Sequence, residues 1–180
     1  MDARNYKVQE TLKNGLGVTI RAIRPGDRDA VLAALKELDE RTVYFRFFGP
    51  KQEFSHRELT EATDVDFVRT VALVCCMQDA ECERIIGAGR YIAFGVADPP
   101  DRAEVAFMVE EDYHGLGIAG RLFRHLAGIA KEKGVAEFHA EVLPENKGML
   151  AVFKKSGFPI KQEIVEGLAH VTISLAGDVQ

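Results

Sequence analysis

The chain has 180 residues, of which 47% are apolar and 28% charged, and its formal net charge at pH 7 is −5. This size and composition are typical of a single globular domain with a buried core. The acidic balance argues against nucleic-acid binding driven by electrostatics. No apolar run approaches the roughly 20 residues that span a bilayer, and the first residues lack the apolar segment of a secretory signal. We therefore expect neither a nucleic-acid nor a membrane partner.

The cysteines and histidines form no pattern typical of disulfides or metal ligands. There are three cysteines, an odd number, and Cys75 and Cys76 are adjacent in an apolar segment. A strand there would point the two side chains to opposite faces. The five histidines are scattered, and none has the paired spacing of a zinc site. We expect reduced, buried thiols, no metal, and a cytoplasmic protein.

The first predicted unit in chain order is a β-hairpin. Predicted strands at residues 6–12 and 18–23 flank Asn14-Gly15, a dipeptide typical of tight hairpin turns. Asp27 is then expected to cap a helix whose apolar residues recur at helical spacing. We treat residues 1–16 as an N-terminal extension and residues 17–180 as the principal domain.

The middle of the chain reads as one short helix followed by strands. The aromatic-rich segment 42–50 is expected to be irregular and to pack between helices and sheet, with a weaker second interpretation as a wall of an acceptor pocket. Ser55 opens a helix, with Glu58 in the capping-box position. Three strands are then expected, at residues 69–77, 84–94 and 102–110.

The C-terminal third contains two helices and three strands. A helix is expected from the glycines near residue 117 to about Lys133, with Gly134 ending it. A strand, a helix and a closing hairpin follow at residues 137–143, 146–156, 160–165 and 170–175. The order of elements predicts an α/β fold built on a mixed sheet.

The segment 108–122 carries the strongest functional signal. An apolar strand leads into an acidic loop, then Gly115, Gly117 and Gly120, then an amphipathic helix. The first N–H groups of a helix lack intrahelical partners, and the helix dipole is positive there, so such a segment binds phosphate.

Two common phosphate-binding folds are excluded. The three glycines match the spacing of a dinucleotide fingerprint, but five residues separate them from the strand, whereas the first glycine of a Rossmann unit follows it closely. Only 60 residues remain after Gly120, too few for a doubly wound sheet. No Lys-Ser or Lys-Thr follows the last glycine, which excludes a P-loop.

The helix that follows the glycines carries two cations in an unfavourable place. Arg121 and Arg124 lie in its first two turns, where positive charge opposes the dipole. Either they belong to a solvated face, or a bound polyanion reverses the local preference.

The glycine segment resembles the signature of a known family. His114-Gly115-Leu116-Gly117-Ile118-Ala119 is similar to the acetyl-CoA signature of the GNAT superfamily of N-acetyltransferases, Gln/Arg-x-x-Gly-x-Gly/Ala, with His114 in place of Gln or Arg. A second block of the family runs from Asn146 to Phe158. Within the superfamily, the chain most resembles the catalytic domain of bacterial Pat-type protein lysine acetyltransferases. The supporting segments are Ile23-Arg24-Pro25-Gly26-Asp27, Tyr44-Phe45-Arg46-Phe47-Phe48, Val71-Ala72-Leu73-Val74, Ala103-Glu104-Val105-Ala106-Phe107 and Val142-Leu143-Pro144-Glu145-Asn146.

The resemblance implies a fold and a cofactor site. The implied fold is the GNAT acyl-CoA N-acyltransferase fold, a central, mostly antiparallel sheet flanked by helices. The implied co-substrate is acetyl-CoA, whose pantetheine arm would pair with the backbone of residues 107–109 and contact Asn146. Phe153 stands where many relatives have a tyrosine that protonates the departing thiolate. The candidate cofactor-binding residues are Phe107, Met108, Val109, His114, Gly115, Leu116, Gly117, Ile118, Ala119, Gly120, Arg121, Asn146 and Phe153.

Glu104 is the candidate general base. It lies early in the strand before the glycine loop, among apolar residues, and partial burial would raise its pKa toward neutral pH. From the residues alone, a solvated strand-end carboxylate is the favoured interpretation; the resemblance implies a catalytic glutamate in this block. Phe153 cannot donate a proton, so the thiolate leaves unassisted or is protonated with help from a group such as Tyr113 or Tyr91.

The resulting hypothesis is an acetyltransferase that uses a direct ternary-complex mechanism. The first choice of acceptor is a protein lysine, and the second is a small-molecule amine. A non-catalytic acyl-CoA-binding sensor is the alternative from a different class. The chain is expected to be a monomer or a homodimer.

Overall fold

A computed structural model describes residues 1–51, 53–79 and 82–176. Eight strands form one sheet in the order β1-β2-β3-β4-β5-β6-β8-β7. The strands are β1 (Lys7–Thr11), β2 (Gly17–Ala22), β3 (Thr70–Asp79), β4 (Cys82–Phe94), β5 (Arg102–Val109), β6 (Glu137–Val142), β7 (Ile160–Val165) and β8 (Leu168–Ser174). The helices are α1 (Arg28–Lys36), α2 (Glu40–Phe47), α3 (His56–Thr63), α4 (Ile118–Glu132) and α5 (Lys147–Lys154).

The sheet is mixed, and one pair of strands makes it so. β5 and β6 run parallel, whereas the six other neighbouring pairs are antiparallel. The predicted α/β fold with a mostly antiparallel sheet is therefore confirmed. The predicted hairpin is present as β1 and β2, and β1 is the edge strand of the same sheet.

The residues of β5 alternate between two layers of helices. The Phe107 ring lies 6.1 Å from the Phe123 ring of α4 and 6.3 Å from the Phe153 ring of α5. The adjacent Ala106 and Met108 face a cavity that α1, α2 and α3 cover. Because successive side chains of a strand point to opposite faces, Glu104 lies on the cavity face of the sheet.

Two glycines of β4 let α4 approach the sheet closely. A Cβ added at Gly87 would lie 2.8 Å from the Ile118 side chain, and one at Gly89 would lie 3.1 Å from the Leu126 side chain, both of α4. The helix is amphipathic as predicted, and its apolar residues Ile118, Leu122, Leu126 and Ile129 are buried against this surface. The helix ends as expected at Gly134, whose φ is +86° and whose N–H donates to the Lys131 carbonyl.

Two local predictions are wrong. The segment 42–50, expected to be irregular, lies largely in α2, which begins where the Asp39 carboxylate accepts a hydrogen bond from the Thr42 N–H. Asp27 occupies the N-cap position of α1, but the expected capping hydrogen bond from its side chain is absent. Its carboxylate accepts two hydrogen bonds from the buried Arg21 guanidinium, at 2.8 and 2.9 Å, and one from the Arg24 N–H at 2.8 Å. Burial opposes ionisation, but these donors outweigh it and hold the pKa of Asp27 below its usual range.

The structure assigns the two adjacent cysteines to the core. Cys75 and Cys76 are free and buried, and burial raises the pKa of each thiol to about 12. Protonated, enclosed thiols are poor nucleophiles. In the described part of the chain, no helix is long and apolar enough to cross a membrane.

Candidate functional site

The parallel strands β5 and β6 diverge soon after they begin. They pair only through residues 102–104 of β5 and 137–139 of β6. Beyond this point β5 stays paired with β4 as far as Val109, and β6 stays paired with β8 as far as Val142. In the described residues, the facing edges of β5 and β6 therefore have no strand between them. An extended ligand can form hydrogen bonds with such an edge, as an added strand would.

A cradle of free N–H groups lies beyond the open end of β5. Gly115 and Gly117 have φ values of +76° and +86°, and Gly117 is the N-cap of α4. Among the described residues, none accepts a hydrogen bond from the backbone N–H groups of residues 115–120. These donors and the positive end of the α4 dipole favour an anion. The structure thus gathers Gly115, Leu116, Gly117, Ile118, Ala119 and Gly120 in one place, and their contact with a cofactor stays a prediction.

His114 stabilises the loop that precedes the cradle through a hydrogen bond. Its Nε2 lies 2.7 Å from the carbonyl oxygen of Val109, the last residue of β5. Because a carbonyl only accepts, Nε2 carries the proton and donates this bond. His114, which replaces the Gln or Arg of the family signature, thus connects the end of β5 to the start of the glycine loop.

The two cations at the start of α4 have a counter-ion within the chain. Glu10 of β1 accepts hydrogen bonds from Arg124 at 2.6 Å and from Arg121 at 3.3 Å, and its Oε1 lies 2.8 Å from His125 Nε2. Burial works against ionisation of Glu10, but His125 and Arg124 outweigh it and hold the pKa of Glu10 below the usual range. The solvated-face interpretation is wrong for Arg121, which is one-fifth exposed. Glu10 is therefore a counter-ion for both cations within the chain, and their interaction with a bound polyanion stays a prediction.

Arg121 also supports the cradle. Its guanidinium donates to the carbonyl oxygens of Thr11, at 2.7 Å, and Gly117, at 3.1 Å. These bonds join the N-terminal hairpin to the first turn of α4. The predicted contact of Arg121 with a cofactor stays a prediction; the structure shows that its guanidinium makes hydrogen bonds within the chain.

Lys13 is a candidate cofactor contact that the sequence analysis missed. It lies in the β1–β2 turn, and its N–H donates to the Leu116 carbonyl at 3.4 Å. A Cβ added at Gly117 would be 3.5 Å from Lys13 Cε, so the side chain runs along the cradle. Lys13 is exposed, and within the described ranges no carboxylate pairs with it. The turn motif alone could not show that this hairpin contacts a loop about 100 residues further along the chain.

Glu104 lies where the two strands begin to diverge. It is the last β5 residue with a partner in β6, where it pairs with His139. The expectation that it is partly buried is wrong, because the helices over this face of the sheet leave the start of β5 uncovered and Glu104 is exposed. The carboxylate is thus open to an incoming molecule on the cavity face.

Asn146 and Phe153, at the two ends of α5, differ in their surroundings: Asn146 caps the helix, whereas Phe153 is buried in the core. Asn146 is the N-cap of α5, where its Oδ1 accepts a hydrogen bond from the Met149 N–H at 3.1 Å. Its amide nitrogen has no acceptor among the described residues and remains available as a donor. Phe153 is 1% exposed and packs against Phe107 and Phe123. Its observed role is therefore core packing.

Neither of the two tyrosines considered as proton donors is placed to protonate the thiolate: Tyr91 is enclosed in the core, and the Tyr113 hydroxyl is already hydrogen-bonded. Tyr91 is fully buried, its hydroxyl has no partner in the described chain, and burial raises its pKa above the usual value. Tyr113 donates its hydroxyl hydrogen to Met77 Sδ at 3.0 Å. Neither presents a free hydroxyl to the opening between β5 and β6. Within the described chain, no group of three acidic, histidine or cysteine residues is arranged to hold a metal ion.

A strand pair that opens toward an anion cradle matches the acyltransferase fold that the sequence resemblance implies. The model of the Acetyltransferase (GNAT) family matches residues 35–158. The chain therefore belongs to this family and is a GNAT acetyltransferase.

Individual relatives support the same assignment. The chain is 30% identical to Acetyltransferase PA5475 from Pseudomonas aeruginosa over 83% of its own length and 78% of the relative. It is 29% identical to Acetyltransferase Pat from Mycolicibacterium smegmatis over 81% of its own length, but it spans only 42% of that protein.

Solved structures show the same fold. The GNAT domain of PAT from S. lividans superposes with a TM-score of 0.85 and 29% identity, over 93% of this chain and 96% of that domain. YncA from Salmonella typhimurium, solved with acetyl-CoA, has a TM-score of 0.68 and 15% identity over 89% of this chain and 95% of that one. The second likeness concerns the fold alone.

Proposed function

We propose that this chain transfers the acetyl group of acetyl-CoA to an amine, and that the amine is a lysine side chain of a protein. The observation that carries the proposal is the divergence of β5 and β6, with free N–H groups at its far end and the exposed Glu104 at its vertex. The resemblance to Pat-type lysine acetyltransferases supports lysine as the acceptor.

The residues around the opening fit the parts of acetyl-CoA. The cradle at residues 115–120 supplies N–H donors for a pyrophosphate. The free edge of β5 supplies backbone partners for the pantetheine amides, and the Asn146 amide adds a side-chain donor. When bound, acetyl-CoA supplies an acetyl group that its thioester activates toward an amine.

Glu104 serves as the proton acceptor. A lysine amine has a reference pKa of about 10.4, so roughly one amine in 2,500 is uncharged at pH 7. A carboxylate at the vertex can hold the ammonium group and take up its proton. The amine then attacks directly, because the buried cysteines offer no nucleophile for a covalent step. With phenylalanine at position 153, the departing thiolate takes its proton from water.

An acceptor assay tests the proposal. The purified protein is incubated with acetyl-CoA and a bacterial lysate protein fraction, and acetyl-lysine and free CoA thiol are measured. We expect both to increase in parallel. Acetylation of polyamines or amino acids without acetylated protein would identify a small-molecule enzyme. Tight CoA binding without transfer to any amine would identify a sensor.

Replacement of Lys13 by Met is expected to weaken acetyl-CoA binding. An exposed ion pair contributes up to about 1 kcal/mol, so KM for acetyl-CoA should rise about twofold to fivefold with kcat unchanged. The difference should shrink in high salt, because salt screens exposed charges. Lys7→Met removes an exposed cation of the same hairpin away from the cradle, and it should leave KM unchanged. Equal KM values for the two variants would remove Lys13 from the site.

A further inference from the structure

A cavity of about 220 Å³ lies between the sheet and the three helices α1, α2 and α3. Its lining is mainly apolar, with residues of β3, β4 and β5 as its floor. Ala106 and Met108 of β5 line it, and Glu104 precedes Ala106 by two residues on the same face. Same-face neighbours on a strand are about 7 Å apart. The edge of the cavity therefore lies about 7 Å from Glu104, the proposed general base.

Two arginines line this cavity without a carboxylate partner. Arg46 comes from α2 and Arg90 from β4, and both are half-buried. Among the described residues, no acidic group lies within ion-pair distance of either guanidinium. The partner of Arg46 is an aromatic ring, since its guanidinium stacks 5.2 Å from the centre of the Phe47 ring.

The two cations interact unfavourably in this partly buried place. Burial first, and then the positive charge of Arg90, lower the pKa of Arg46 to about 10, while the Glu104 carboxylate acts in the opposite direction. An unneutralised charge away from water is costly unless a partner joins it. Glu104 is exposed and does not form an ion pair with either arginine.

The other acidic residues that line the cavity are already paired. The Glu58 carboxylate accepts hydrogen bonds from Lys51 Nζ at 2.6 Å and from the Ser55 N–H at 2.8 Å. The Glu61 carboxylate accepts one from Arg57 at 2.7 Å. The cavity thus retains two positive charges that the described chain leaves without a counter-ion, and this arrangement favours an anionic ligand.

We propose that this cavity binds a carboxylate of the acceptor, with Arg46 and Arg90 as its ligands, so that the acceptor is an amine that also carries a carboxylate. The register of the sheet supports this, because Arg90 pairs with Ala106 and Ile92 pairs with Glu104. A carboxylate at the arginines and an amine at Glu104 are then separated by about 7 Å, the distance between same-face neighbours on a strand. A lysine beside an acidic residue and a free amino acid both have this chemistry. This inference deepens the proposed function and rests on it.

Matched acceptors test the proposal in the full chain. Two peptides differ only in a Glu or Gln residue next to a single lysine, and free lysine and its carboxamide form a second pair. The enzymes are the wild type and the double variant Arg46→Gln/Arg90→Gln. We expect wild-type kcat/KM to be about 10-fold to 100-fold higher for the acidic member of at least one pair, because charge-assisted hydrogen bonds are strong. In the double variant, this preference should fall to within about twofold.

A control variant separates cavity charge from general charge. Arg41→Gln removes an exposed cation of α2 that lies outside the cavity and pairs with none of the carboxylates of its lining, and it should keep the wild-type preference. The KM for acetyl-CoA should stay the same in all three proteins, which also shows that the double variant is folded.

The outcomes distinguish the inference from the proposed function. Acetylation of both members of each pair at equal rates, or a preference that survives in the double variant, overturns the carboxylate site and leaves lysine acetylation in place. Acetylation of free lysine alone, with a preference lost in the double variant, supports the carboxylate site and overturns the protein acceptor. Transfer to none of the four acceptors overturns both.

Discussion

Replacing Glu104 by Gln is expected to lower kcat for acetyl transfer about 100-fold to 1,000-fold at pH 7, with the affinity for acetyl-CoA unchanged. General bases typically contribute factors of 10² to 10⁴. The amide keeps the shape of the carboxylate but cannot take up a proton. Because the Glu104 side chain is exposed and makes no hydrogen bond or ion pair with the described residues, the change should leave the fold intact. Initial rates with saturating lysine acceptor, together with acetyl-CoA titration, measure both quantities.

The pH dependence of this defect provides a second readout. Near the lysine pKa of about 10.4, solvent removes the proton that Glu104 removes at neutral pH. The ratio of wild-type to variant rates should therefore decrease steadily from pH 7 to pH 10. A purely structural role for Glu104 predicts a ratio that does not depend on pH.

Glu141→Gln is the matched control for charge. Glu141 is an exposed glutamate of the neighbouring strand β6, beyond the region where β6 pairs with β5. Its replacement removes the same charge from the same part of the sheet, and kcat should stay within about twofold of the wild-type value. A Glu104→Gln rate within threefold of the wild type at pH 7 would rule out Glu104 as the base.

Local signals in the sequence predicted much of this fold because their causes are local. The Asn14-Gly15 turn, the Ser55–Glu58 capping box and the Gly134 helix end each involve hydrogen bonds within a few residues. Helix α2 was missed because its end carries no glycine. Phe48 occupies the left-handed region there, with φ of +58°, which an aromatic residue rarely adopts.

The missed features of the site depend on distant contacts. Glu10 is 111 residues from Arg121 in sequence, and only the folded sheet brings them together. Lys13 meets the cradle for the same reason, because β1 is an edge strand whose turn lies beside the start of α4. Glu104 was expected to be partly buried because its neighbours are apolar. The topology of the fold decides which parts of a strand the helices cover. The pattern of residues along the strand does not carry that information.

Replacing Gly117 by Ala is expected to destabilise the fold and to weaken the binding of acetyl-CoA at the cradle. Gly117 has φ of +86°, and an added Cβ would lie 2.5 Å from Arg121 Nη1. An L-residue in this conformation costs about 1–2 kcal/mol. The guanidinium cannot move aside without loss of its hydrogen bonds to Thr11 and Gly117. We expect Tm to fall by about 2–8 °C and KM for acetyl-CoA to rise at least tenfold, because the N–H donors of the first turn shift.

Gly128→Ala in the same helix isolates the effect of position. Gly128 is exposed, has no atom within 4 Å of an added Cβ, and lies in the interior of α4. Alanine favours the helix by up to about 1 kcal/mol over glycine, so Tm should rise slightly with KM unchanged. Thermal unfolding and acetyl-CoA titration of both variants separate strain from binding. The Gly117→Ala protein could instead lose stability and still bind acetyl-CoA with wild-type affinity. The cofactor would then not use the displaced N–H donors, and its phosphates would bind elsewhere.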